Sequence, residues 1–197
     1  MSSAGAEDGA GEDGVLERAR SLLGRLLVAH GVTLVVTEVE AYGGVSDPAS
    51  HAYTRTPRSE IMYGPPWRLY VYRSYGIHWC ANVVTGPTEQ AAAVLLRAGR
   101  VVDGLELARE RRGDVPDHRL ARGPGNLARA AGITAADLGT PVLDEDAAVR
   151  LGAVPAEPPT VRSGPRVGVA RAADRPWRLW IAGDPTVSAY RRSPRAR

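Results

Sequence analysis

The stretch Val32-Thr33-Leu34-Val35-Val36-Thr37-Glu38-Val39-Glu40-Ala41-Tyr42 decides the fold class. It is rich in β-branched residues and alternates with a period of two, which predicts a strand. Leu34, Val36, Glu38, Glu40 and Tyr42 fall on one face of it, and Thr33, Val35, Thr37, Val39 and Ala41 on the other. Upstream, Val15, Leu16, Ala19, Leu22, Leu23, Leu26 and Leu27 form a helical stripe over Val15–His30, with Gly31 placed to close the helix. Downstream, Gly43–Pro66 is aperiodic and rich in Gly, Pro, Ser and Thr, and reads as a long ordered loop of the kind that carries function. Leu69–Tyr72 predicts a short strand, Tyr75-Gly76 a break, and Ile77–Val84 a second strand. Ala91–Arg97 reads as a buried strand. Helices are predicted over Val101–Arg112 and around His118–Gly132, the latter broken at Gly123-Pro124-Gly125. Late strands are predicted at Arg166–Ala170 and Arg178–Ala182. Helices and strands mix without βαβ regularity, so the fold class is α+β, in one domain over 15–190.

Composition narrows the partners. The chain has 197 residues, 44% of them hydrophobic, enough for one core. Residues 1–14 carry Glu7, Asp8, Glu12 and Asp13, no base and little to bury, and are expected to be a disordered acidic tail. Residues 191–197 are expected to be a basic tail, disordered from Ser193. The whole chain is +3. With those four carboxylates set aside, the body is +7, which suits a polyanionic partner. Residues 1–14 lack the basic start and apolar stretch expected of a signal peptide, and no run approaches the length of a membrane span. Cys80 is the single cysteine and rules out an internal disulfide, so a cytoplasmic location is expected. All 25 basic residues are arginine. Covalent chemistry through a lysine Schiff base is therefore excluded.

Several residues invite chemistry. Glu38 and Glu40 share a strand face, roughly 7 Å apart by strand geometry. Paired carboxylates at such a distance serve glycosidic chemistry, and solvated charge on a strand edge is the commoner use of such a pair. Glu40 stands beside Tyr42 on a face that also carries Leu34 and Val36, where a carboxylate needs a partner. Arg97 ends an apolar strand and needs an anion, for which Glu40 is a candidate. His51 lies in the long loop without the spacing of a metal site, and no cofactor motif is present. The strands around Tyr70, Tyr72 and Tyr75 offer aromatic faces for stacking on a base. An aromatic at a strand break beside a glycine can wedge into a duplex. Asn82 can read a base edge or reject a substituent.

In this order and spacing the residues resemble the alkyladenine (3-methyladenine, or methylpurine) DNA glycosylase family. The likeness runs through Thr37-Glu38-Val39-Glu40-Ala41-Tyr42, Asp47, His51-Ala52, Thr56-Pro57-Arg58, Met62 and Gly64-Pro65-Pro66. It continues in Tyr70-Val71-Tyr72, Tyr75-Gly76-Ile77-His78, Asn82-Val83-Val84, Leu95-Leu96-Arg97-Ala98, Gly123-Pro124, Leu127 and Arg166-Val167-Gly168-Val169. The resemblance implies a single mixed domain with a curved antiparallel sheet, surrounding helices and a protruding hairpin. It implies that Glu40 is the general base and that Arg97 helps to hold the attacking water. It implies that Tyr42 and His51 enclose the flipped base from one side and Tyr72 from the other. Tyr75 would intercalate and Asn82 would exclude guanine's amine. The expected partner is double-stranded DNA with damaged purines, met by a monomer at the nucleoid. Tyr63, Trp67, Trp79 and Cys80 depart from the family pattern. Trp67 stands where glycine is common. Three rival readings stay open: a lesion-binding protein that does not cut, a single-strand-binding module, and a sugar-active hydrolase.

Overall fold

The computed structural model describes residues 12–197. Most of the expected acidic tail lies outside them. Its last three residues, Glu12, Asp13 and Gly14, are not tail but the start of helix α1 (Glu12–Leu22). That helix is shorter than the stripe predicts. Gly24 turns the chain at φ +81, and Leu26–Ala29 forms strand β1 instead. Leu27 and Ala29 are buried while Leu26 is 40% exposed. Those leucines therefore follow a strand period, though their spacing also fits a helix.

β2 (Val32–Tyr42) is the spine of the fold. One edge pairs with β5 (Ala93–Asp103). The other edge is shared, with β1 against Val32–Val35 and β8 (Arg178–Ile181) against Glu38–Glu40. β3 (Leu69–Ser74) and β4 (His78–Val84) form a hairpin that joins through β4 to β5. β6 (Val149–Leu151) closes the far side against β1, and β7 (Val161–Gly164) pairs with β8. Every pairing is antiparallel, in one curved eight-stranded sheet with path β3-β4-β5-β2-β1-β6. With three α-helices among the described residues, this is the α+β fold that the sequence predicts. No described helix is long and apolar enough to cross a membrane.

Two readings differ from expectation. Residues 101–103 continue β5, and helix α2 (Leu105–Arg112) starts only after Gly104. Gly104 sits at φ +72, and a Cβ there would lie 2.1 Å from the Gly31 carbonyl oxygen, so the backbone must turn at this residue. Helix α3 (Pro124–Ala131) begins at the expected break, with proline in its first turn, and Gly132 caps its end. Arg166–Ala170 is not a strand. β7 ends at Gly164, and the next residues form a loop tied to the site rather than to a neighbouring strand. α1 and α3 pack on the sheet through Val15, Ala19, Leu22 and Leu127, against Leu34, Val36 and Leu96. This rigid layer leaves the ends of β2, β3, β4 and β5 to carry chemistry.

Candidate active site

β2 changes character halfway along. Burial alternates through Val36 and then becomes continuous from Thr37 to Ala41. Register shifts at Val36/Glu38 and Glu38/Val39 mark a bulge there. Two carboxylates thus enter the interior, both fully buried. Such groups persist only when paired and hydrogen-bonded.

Arg97 on β5 joins them. Its Nε donates to Glu38 Oε1 at 2.9 Å, and its Nη1 lies 3.2 Å from Glu40 Oε1. Glu38 is otherwise saturated. Ser188 donates to it from both backbone N–H (2.7 Å) and hydroxyl (2.8 Å), and Arg178 Nη1 donates at 3.2 Å. Arg97 Nη2 in turn donates to Ser188 Oγ at 3.1 Å. Glu38 is therefore an anchor for Arg97. Glu40 receives the Val167 N–H on Oε1 at 2.7 Å and the Tyr42 hydroxyl on Oε2 at 2.8 Å. A carboxylate has about four lone-pair sites. Val167 and Tyr42 occupy two of them, the Arg97 guanidinium stands 3.2 Å away as an ion-pair partner, and Glu40 keeps acceptor capacity where it lines the open cavity. Burial first, then the Glu40 charge, pushes the Tyr42 phenol well above its usual range. It stays a donor to Glu40.

That cavity measures about 830 Å³, and the seven residues to which the resemblance gives a role line it: Glu40, Tyr42, His51, Tyr72, Tyr75, Asn82 and Arg97, whereas Glu38 does not. Asn82 faces Tyr70 across the hairpin and donates to the Tyr70 carbonyl at 3.0 Å, leaving its amide oxygen for the cavity. Tyr75 is at the hairpin tip, 93% exposed, with φ +49, followed by Gly76 at φ +70. Two successive positive φ values are the geometry of a tight hairpin turn, and tyrosine bears strain there of about 1–2 kcal/mol. His51 accepts or donates at Tyr70 Oη (3.0 Å) and meets Tyr72 edge-on, with centroids 4.6 Å apart and planes at 79°. His51 thus abuts Tyr72 and does not stand opposite it with a parallel slot between. Burial raises the Tyr72 phenol, so Tyr72 offers a neutral, electron-rich ring.

Burial, then the neighbouring Arg58 charge, pushes His51 down to about 4, although the residue as a whole is exposed where it lines the cavity. The ring is expected to be neutral from about pH 5 upward. Its folded value lies below the ordinary 6.5, so its contribution to stability is present above that pH and is lost as pH falls toward 4. An NMR titration of the ring proton should show its inflection below pH 5. An inflection near 6.5 would place a cation in the pocket at neutral pH and overturn this assignment.

The sequence reading missed the clamp that holds Val167. Arg166 is 1% exposed and forms a two-pronged ion pair with buried Asp47, Nη1 to Oδ2 at 2.5 Å and Nη2 to Oδ1 at 2.8 Å. It also donates to the Ala41 carbonyl at 2.9 Å and lies over the Tyr42 ring at 4.8 Å. An arginine in the run Pro165-Arg166-Val167-Gly168-Val169 raises the same question as Arg97, that of an unpaired cation among apolar neighbours. Nothing in the sequence marks Ser188. Trp67 has a physical account. It sits at φ +62, a conformation that favours glycine, with the Arg18 and Arg25 guanidiniums 5.2 and 5.9 Å from its ring.

Comparison with known proteins agrees on one family. The model of the methylpurine-DNA glycosylase family matches residues 11–185. A protein of Mycolicibacterium paratuberculosis named "Putative 3-methyladenine DNA glycosylase" is 57% identical over 188 residues, covering 92% of this chain and 91% of its own. Proteins of the same name from Mycobacterium bovis BCG (56% over 185 residues, 90% of each chain) and Mycobacterium sp. KMS (54% over 188 residues, 92% and 91%) are similar throughout.

Proposed function

The chain belongs to the methylpurine-DNA glycosylase family, and from that membership we propose that it flips an alkylated purine out of duplex DNA and hydrolyses its N-glycosidic bond. The observation that carries the proposal is Glu40, a buried carboxylate that lines the cavity, held by two hydrogen-bond donors and the nearby Arg97 guanidinium, with acceptor capacity left over. There it accepts a proton from a water that Arg97 helps to hold, and that water attacks the sugar carbon. The same negative charge stabilises the oxocarbenium-like transition state. Tyr75 fills the gap left by the extruded nucleotide. Tyr42 and Tyr72 bound the base with aromatic faces, and His51 turns from its edge contact with Tyr72 as the base enters. Neutral His51 and two neutral phenols suit a cationic alkylated base. Asn82 excludes a purine carrying an exocyclic 2-amine. On this reading the protein acts as a monomer at the nucleoid.

Alkylated purines rank ahead of deaminated ones in this site. An alkylated base leaves readily because it already carries positive charge. Hypoxanthine is neutral and needs protonation as it departs. Glu40 is the only carboxyl group lining the cavity among the described residues, and it is committed to the water. Hypoxanthine remains a slower substrate on this reading.

The product is an intact strand with an abasic site, because the 197 residues contain no lysine to form a Schiff base. The test is release of free base from a duplex with one alkylated adenine, with borohydride added in parallel. Release without covalent trapping is expected. A trapped protein–DNA adduct would overturn the water mechanism, and lesion binding without release would favour the non-cutting reader.

A further inference from the structure

The family match ends at residue 185, and twelve residues follow it. The last seven, Arg191-Arg192-Ser193-Pro194-Arg195-Ala196-Arg197, hold four arginines and no acidic side chain. They lie along the rim of the cavity. Gly168 N–H donates to the Arg191 carbonyl at 3.0 Å, and Arg197 N–H donates to the Ala170 carbonyl at 2.9 Å. Gly168 and Ala170 both line the cavity. Arg192 Nη1 ties the segment to Asp174 at 2.7 Å. Arg191, Arg195 and Arg197 are exposed, and no ion pair among the described residues engages them. The rim beside them is cationic too. Arg58, Arg73 and Arg171 stand at the mouth, and Glu40, at its buried floor, is the lone acid there.

A row of arginines held in place by backbone bonds repels itself unless an anion meets it. Docking through the main chain leaves the guanidiniums free for such a partner, and arginine's planar fork matches phosphate oxygens. We propose that residues 191–197 form an arm that contacts the phosphates of duplex DNA beside the extruded nucleotide. This rests on the glycosylase reading and adds to it a surface outside the family match. Phosphate contacts position a duplex without reading its sequence. The arm thus holds undamaged and damaged DNA alike against the rim while Tyr75 probes the stack.

The test is a salt series of binding to an undamaged duplex, comparing wild type with R191Q/R195Q/R197Q. Glutamine preserves the backbone bonds that dock the arm. Each phosphate contact adds about 0.9 to the slope of log affinity against log salt. The triple variant should flatten that slope by about 2–3, and R195Q alone by about 1, with weaker binding at every salt. Wild-type binding with an unchanged slope in the triple variant would overturn the arm and leave the glycosylase reading standing. A wild type with no affinity for duplex would overturn both.

Discussion

Glu40→Gln should bind a duplex containing alkylated adenine about as well as wild type and release base at least about 10³-fold more slowly. Removing a positioned base costs about 10²–10⁴ in rate, and loss of the charge near a developing oxocarbenium ion adds to that. The fold should survive for a specific reason. Arg97 keeps its 2.9 Å bond to Glu38, and Glu38 keeps Ser188 and Arg178, so no cation is stranded. The amide oxygen can still accept from Val167, and the Tyr42 hydroxyl can accept from the new amide N–H. Single-turnover release and equilibrium binding, measured side by side, separate the two effects. Release within tenfold of wild type would remove Glu40 from the role of base. Loss of binding together with release would point instead to a collapsed cavity, which thermal unfolding of the variant would reveal.

Much of this was legible in the sequence, and what was legible shares a cause. β2, the β3–β4 hairpin and the break at Gly123-Pro124-Gly125 are local, each set by residues within about a dozen positions. Glu40 and Arg97 were legible because each is a charge in an apolar strand, and such charges need partners. Misreadings occurred where two periods fit the same residues. Leu22, Leu23, Leu26 and Leu27 satisfy a helical stripe, and only the turn at Gly24 separates helix from strand. Val101 and Val102 fit a helix that Gly104 in fact starts later, because its α-carbon approaches the Gly31 carbonyl from far away in sequence. The least legible parts are the longest-range ones. Asp47 meets Arg166 across 119 residues, and Ser188 reaches Glu38 across 150. Their residue types carry no periodic signal. Only the folded chain shows that the 166–170 segment, expected to be a strand, is a loop that brings the Val167 N–H to Glu40.

That loop leads to the second large effect, the loss expected for Arg166→Met. The side chain fits the space, but Asp47 is left fully buried with only the Gly43 and Ala49 N–H groups as donors, at 3.2 and 3.1 Å. Breaking one half of a buried ion pair costs about 3–5 kcal/mol, against total stabilities of about 5–15 for domains of this kind. A urea titration should show the midpoint fall sharply. The damage should also reach the chemistry. Arg166 ties Asp47 to the Ala41 carbonyl and faces the Tyr42 ring, and its neighbour Val167 donates to Glu40. Without it, Glu40 loses a fixed donor and Tyr42 a ring partner, so base release should slow even where the protein stays folded. The double variant Arg166→Met with Asp47→Asn removes the stranded charge. It should recover most of the stability while release stays slow, because the amide cannot rebuild the two-pronged grip on the 166–167 loop. Equal loss of stability in the single and double variants would mean that the cost comes from packing of Arg166 against the Trp177 ring, 5.2 Å from its guanidinium, rather than from the stranded charge, and the ion-pair account would be wrong.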